Sequence, residues 1–205
     1  MSEAPERDAL EAMNMLDDVP ADIRQAARLA PDHWFGMVDP GWRGEGTPPQ
    51  WAVVGEWRSD VDGEIAEWQA NEDYRPSPVA LGWPEPTDGI DEAVQQAVTG
   101  YGPGDDVIRL LAPAEVRVLL GPDDQPLAAR TADGSPVIPV FTSEAQVRAV
   151  GALGSRSVGV VDLVGELPPE HQLYVNPTGV VSMVIETQQL KAAIATKPAD
   201  TPPSD

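Results

Sequence analysis

Pro136-Val-Ile-Pro-Val-Phe141, followed at once by Thr142-Ser-Glu-Ala-Gln146, decides how this chain is read. Six apolar residues in a row, bounded by polar ones, form a strand. The prolines at its first and fourth positions argue for an edge or bulged place in a sheet, because proline cannot donate to the ladder. Ser143 and Gln146 then make a capping box, which starts a helix over 144–150. A strand that runs directly into a helix predicts an α+β chain.

The same alternation continues outward. On the amino-terminal side, Glu115–Leu120 reads as a strand, Gly121–Gln125 as a turn and Leu127–Thr131 as a second strand, with Asp133-Gly134 a hairpin signal. On the carboxyl-terminal side, Val158–Leu167 fits a strand or a helix. Leu173–Val175 and Val180–Ile185 flank Asn176-Pro-Thr-Gly179, whose proline and glycine suit a type I turn. Thr187–Ala195 closes as a helix. Pro198–Asp205 has a disordered composition.

The first half is organised differently. All six tryptophans lie within residues 34–83: Trp34, Trp42, Trp51, Trp57, Trp68 and Trp83. Leu10, Met13 and Leu16, and then Ile23, Ala26, Ala27 and Ala30, predict two amino-terminal helices, the first acidic and loosely held. His33–Val38 and Trp51–Trp57 read as strands, with Trp51, Val53 and Trp57 on one face. Asp62–Trp68 fits a short helix or an edge strand. Tyr74–Pro86 is too rich in proline for a helix or a central strand and crosses the surface, with Leu81 and Trp83 turned inward. Residues 89–100 form the clearest helix. Asp88 caps it, and Ile90, Val94, Ala97, Val98 and Tyr101 make its apolar stripe. Gly102-Pro-Gly104 marks a boundary, and a short helix from Asp105 to Leu111 follows.

These readings give two small lobes: a Trp-rich antiparallel sheet with a helix over 20–102, and a mixed α/β domain over 103–195. Residues 1–19 precede them as an acidic helix or tail, and 196–205 follow as a disordered tail.

Composition narrows the functional classes. Thirty-four acids against 13 bases give a net charge of −21. Residues 1–100 carry −15 of it, around the tryptophans. Such a surface repels phosphate backbones, so nucleic acid is not expected as a partner. The chain has no cysteine, which removes thiol chemistry and cysteine-ligated metal. The amino terminus has no signal-peptide pattern and no apolar run spans a bilayer, so a cytoplasmic protein without membrane insertion is expected. No cofactor is expected either. Gly41-x-x-Gly-x-Gly46 and Gly100-x-Gly-x-Gly104 lack the strand–helix context of a dinucleotide fingerprint. Asp60-x-Asp62-Gly-Glu64 lacks the later ligands of a calcium loop and reads as a capped turn.

Two sets of motifs resemble known families. Val137-Ile-Pro-Val-Phe-Thr-Ser143 and Leu173-Tyr-Val-Asn-Pro-Thr-Gly179 resemble the SseB family, named for enhanced serine sensitivity, over about residues 105–192. This resemblance implies a helix within Val158–Leu167. Ala30-Pro-Asp-His-Trp-Phe-Gly-Met-Val-Asp-Pro40, Trp51-Ala-Val-Val-Gly-Glu-Trp-Arg58 and Tyr74-Arg-Pro-Ser-Pro-Val-Ala-Leu-Gly-Trp-Pro-Glu-Pro-Thr87 resemble the type VII secretion system-associated proteins of high-GC bacteria, over about residues 22–190. That implies association with a secretion locus and brings no catalytic residues with it.

The expected function is a non-enzymatic accessory protein that binds a secretion substrate or a machinery component, with a homodimer also open. The loop positions Trp42, Arg43, Trp83, Asn176 and Pro177 are the expected contact residues. An immunity protein for a secreted toxin is the alternative. A hydrolase using His33 or His171, the two histidines of the chain, is a further one.

Overall fold

A computed structural model describes residues 14–151, 153–168 and 170–196. The chain divides into two compact units, Met1–Gly82 and Trp83–Asp205.

In the first unit, residues 14–17 are helical and α1 spans Ala21–Leu29. Three antiparallel strands follow: β1, Trp34–Val38; β2, Val53–Ser59; and β3, Ile65–Ala70. They lie in the order β1-β2-β3, so the 62–68 segment is resolved as an edge strand. Trp57 and Trp68 are directly opposite on β2 and β3, with rings 4.7 Å apart, and together with Val19 they form the core. The Trp57 indole Nε1 donates to the Met15 carbonyl at 3.1 Å, satisfying the one polar atom this side chain buries. Gly55 is required here, because a Cβ would stand 2.4 Å from the Trp68 ring.

Three expectations need correction. The segment before α1 is not loosely held over its described part, since Met15, Leu16 and Val19 pack on Trp57 and Trp68. Residues 1–13 lie outside the described residues. Trp51 is not on the strand face with Val53 and Trp57. Pro48-Pro49 brings the chain in as a 3-10 turn, Gln50–Ala52, and Trp51 sits within it. Leu81 is exposed, and Ser77 and Pro78 take the buried places in that loop.

The second unit opens with α2, Gly89–Thr99. The Asp88 carboxylate accepts from the Ile90 and Asp91 amides, and Gly100 ends the helix at φ 80°. Then come α3 (Gly104–Leu111), β4 (Glu115–Leu119), β5 (Ala129–Arg130), β6 (Pro136–Phe141), α4 (Glu144–Arg148), β7 (Ser155–Gly159), α5 (Val160–Glu166), β8 (Gln172–Val175), β9 (Met183–Ile185) and α6 (Thr187–Thr196). The sheet order is β7-β4-β6-β8-β9, with β5 also on β6. Among the described residues only β6 and β8 are parallel.

The lobe boundary expected at 102/103 falls instead between Gly82 and Trp83. Ala93 and Val94 are buried in the second core with Leu111, Val140 and Leu173, so α2 belongs to that unit. Gly100 and Gly102 serve a tight helix-to-helix turn rather than a linker. Val98 is not on the buried stripe and stands 47% exposed. The 158–167 segment is both of its alternatives in turn, strand to Gly159 and helix from Val160.

The edge place expected for Pro136–Phe141 is also wrong: β6 is central and buried from Val137 to Phe141. Geometry explains why its prolines are tolerated. The Val140 carbonyl accepts from Asn176 on the β8 side. By alternation the Pro139 nitrogen faces the other side. There the partner changes from β5, opposite Pro136 and Val137, to β4, opposite Val140 and Phe141. The missing donor falls in the gap between them. Residues 197–205, and with them the disordered tail expected from Pro198, lie outside the described residues.

Candidate functional site

The structure distributes the expected contact residues rather than gathering them. Trp42 and Arg43 belong to the first unit. Trp42 is half-buried, edge-on to Trp51 at a centroid distance of 5.7 Å. Arg43 is exposed, and its guanidinium donates to the Pro40 carbonyl at 3.1 Å. Trp83, Asn176 and Pro177 belong to the second unit, where Trp83 and Pro177 are half-buried. Asn176 is fully buried, so it is withdrawn as a contact residue. Its side-chain oxygen accepts from the Thr142 amide at 2.9 Å and its nitrogen donates to the Thr142 hydroxyl at 2.8 Å. It locks the ends of the two parallel strands.

Around Asn176 lies a polar cluster that the sequence motifs showed only in part. Asp88 accepts from the Thr142 hydroxyl at 2.6 Å. Asp91, 3% exposed, accepts from the Thr87 amide and hydroxyl and, at 3.5 Å, from the Gln146 side chain. Gln146 in turn accepts from Thr178, inside the Asn-Pro-Thr-Gly turn. The Ser143 half of the capping box forms, since its hydroxyl accepts from the Gln146 amide. The Gln146 side chain bonds Asp91 and Thr178. Only Asp91 Oδ1 is left without a partner among these carboxylate oxygens. The cluster ties the start of α2 to the carboxyl ends of β6 and β8, and its atoms bond one another.

Asp39 plays a comparable part in the first unit and carried no motif. It is 2% exposed and follows β1 directly. One oxygen accepts from the Gly41 amide, and the other from the Tyr74 hydroxyl at 2.6 Å and the Ser77 amide at 3.0 Å. Burial pushes this carboxyl up, but hydrogen bonds from Ser77, Tyr74 and Gly41 outweigh it and hold the pKa below the ordinary aspartate value. The signal in the sequence was Asp-Pro-Gly straight after a strand, which is an Asx-turn pattern.

The remaining first-unit feature is β1 itself. Phe35 and Met37 are half-buried, whereas Trp34 and Val38 are exposed, at 37% and 39%. The Arg58 guanidinium lies 5.8 Å above the Trp34 ring and pairs with Asp32 at 2.9 Å. No charged residue lies between His33 and Val38.

The histidines are in different units. His33 is exposed, edge-on to Phe35. His171 lines a groove of about 440 Å³ with Glu170, Glu186 and Lys191. A larger, more apolar groove of about 830 Å³ runs along Ile108, Ala112, Val161, Ala193 and Ile194. The 60–64 segment is the capped turn expected, with Asp60 accepting from the Asp62 and Glu64 amides. No helix among the described residues is long and apolar enough to cross a membrane.

The second unit is therefore a helix-flanked mixed sheet with one parallel pair, closed at the carboxyl ends of that pair by side-chain hydrogen bonds. Its sequence matches the SseB protein N-terminal domain over residues 90–192, half of the chain, and the protein belongs to the SseB family. The match begins in α2, fifteen residues or so earlier than the motif resemblance placed it, in keeping with the packing of that helix. No curated protein and no solved structure matches the chain.

Proposed function

We propose that this SseB-family protein is a non-enzymatic accessory protein of a type VII secretion system, and that it acts by binding another protein, a secretion substrate or a component of the machinery. The observation that carries the reading is the first unit. It encloses Trp57 and Trp68 in a small core and presents Trp34 and Val38 outward on a strand without charge. A tryptophan on a surface otherwise rich in carboxylates is the kind of anchor that dominates protein interfaces. Two of the three motifs that resemble secretion-associated proteins fall wholly in this same unit, and the third, Tyr74–Thr87, begins in it. The acidity supports the reading through steering of a partner and exclusion of nucleic acid. A cytoplasmic location goes with it.

The test is affinity purification of the tagged full chain from its own bacterium after in-cell cross-linking. Enrichment of proteins encoded at a secretion locus, over a tag-only control, is the expected result. Enrichment of a single toxin from that locus, with rescue of its toxicity on co-expression, would replace the accessory role with the immunity role. Absence of any such protein would overturn both.

A further inference from the structure

The geometry points to the outer edge of β1 as a docking strand for an extended segment of a partner protein, with the pattern apolar–x–basic–x–apolar. This rests on the proposed protein-binding function and names the site and the chemistry of the bound segment.

The edge is open by hydrogen-bond alternation. The His33 carbonyl accepts from the Ser59 amide, and the Asp39 amide donates to the Ala52 carbonyl, so both ends of β1 face β2 at odd positions. Residues 35 and 37 continue that side of the ladder, and Trp34, Gly36 and Val38 turn their amides and carbonyls outward. Among the described residues nothing pairs with them. The other sheet edges are blunted in ways natural proteins use. β3 carries Glu67, β7 carries Arg156, and β9 is three residues long. β1 has five residues, no charge and no proline.

The side chains specify the partner. Trp34, Gly36 and Val38 stand on the solvent face, where an added strand would lay apolar residues beside Trp34 and Val38. Gly36 lies between them and opposite Glu56 on β2. A Cβ at Gly36 would come no nearer than 3.8 Å to any atom, so there is free space above it. A lysine or arginine on the added strand, opposite Gly36, can reach across this gap to Glu56, roughly 10 Å away at two strand spacings. Arg58, the basic side chain on this face of β2, is held by Asp32 and Glu67, which leaves the Glu56 charge for the partner. The first unit as a whole is strongly acidic, so a basic segment is also steered to it.

The probe is a blocked peptide, Ser-Val-Thr-Lys-Thr-Val-Ser, with its Lys-to-Glu counterpart, titrated into the full chain while amide signals are followed. The expected result is chemical-shift change and slowed exchange at the Trp34, Gly36 and Val38 amides, with affinity falling as salt rises. Gly36→Pro removes an outward donor without touching the β2 ladder and weakens binding at least about tenfold. Glu56→Gln weakens the lysine peptide by about threefold to fivefold and leaves its counterpart unchanged. Near-ultraviolet circular dichroism of the Trp57–Trp68 pair reports whether each variant is folded. No response at millimolar peptide, perturbation elsewhere, or undiminished binding by folded Gly36→Pro overturns the assignment. So does self-association through the same amides that tightens with salt, which would give the edge to a second copy. Capture of a secretion-locus protein equally by wild type and Gly36→Pro overturns this edge and leaves the proposed function standing. A wild-type chain that binds the peptide at this edge but captures no secretion-locus protein overturns the proposed function and leaves the edge standing.

Discussion

Asp39, just after a strand of the first unit, and Asp91, in the first turn of α2 in the second, are buried carboxylates, the latter beside the half-buried Asp88 cap, and they are put to different uses. Asp39 gathers two loops beside a sheet of three strands. Asp88 and Asp91 join a helix start to the ends of β6 and β8 in a sheet twice as large. The larger sheet gains a second layer of helices and places its β6 and β8 ends under hydrogen bonds. The smaller one has a core of three fully or nearly buried hydrophobic residues and keeps one edge open. A small sheet whose loops are pinned by carboxylates such as Asp39 and Asp60 can present a strand without unravelling. That is the property a docking surface requires.

If this contrast is right, the two units respond differently to loss of a core group. Trp57→Ala removes the centre of the first core and leaves the Met15 carbonyl unpaired, costing about 3–5 kcal/mol. Methyl resonances of Val140 and Leu173 should keep their native shifts in this variant while those of Ile65 collapse. Simultaneous loss of both sets would break the comparison. Asn176→Ala is the counterpart in the second unit. It strips the Thr142 amide of its acceptor, leaves the Thr142 hydroxyl with Asp88 alone and puts alanine at a φ of 50°, so a loss of about 2–3 kcal/mol in urea titration is expected. A loss below 0.5 kcal/mol would mean that the turn is held by the strands rather than by this side chain.

The second unit was the more legible of the two. Its strands and helices each carry their own period and punctuation: Asp88 before α2, Ser143 before α4, Asn-Pro-Thr-Gly before β9. What escaped reading depends on neighbours far along the chain. Pro139 fits a central strand only because two partners leave a gap beside it. Gly102 resembles a linker until Ala93 and Val94 are seen in the second core. In the first unit the count of tryptophans was legible and their burial was not, since Trp57 and Trp34 stand on similar short strands and differ in which face meets Met15 and Val19. Asn176 misled for a simpler reason. A turn sequence predicts exposure, but its side chain reaches across to Thr142 at the end of the neighbouring strand β6. Asp39, with partners at 74 and 77, had no local signature beyond its Asx turn.

The Asp39 tie makes the first unit sensitive to acid. Its folded pKa lies below the ordinary value of about 3.9. Its stabilising contribution is therefore complete above that value and is lost as pH falls through the lower folded value. Asp39→Asn should cost about 1–2 kcal/mol at neutral pH, because charge-assisted bonds from Tyr74 and Ser77 become neutral or mismatched. It should also remove the part of the acid destabilisation below pH 4 that belongs to the wild type. Tryptophan-detected urea unfolding at pH 7 and pH 3 measures both. An unchanged difference between the two pH values would move the acid sensitivity to another carboxylate.

The smallest effect is the one that separates Trp34 from the buried tryptophans. Trp34→Thr keeps a residue suited to strands and removes an indole whose described ring contact is the Arg58 guanidinium above it. Exposed stacking of this kind contributes little once water competes, so stability should change by no more than about 0.5 kcal/mol. The size of the side chain makes the result informative. A tryptophan with real burial would cost several kcal/mol, as at Trp57. If Trp34→Thr proves as costly, the solvent face of β1 is packed in solution, and an open docking edge loses its premise. If stability holds while the probe peptide binds more weakly, the indole serves the bound strand rather than the fold.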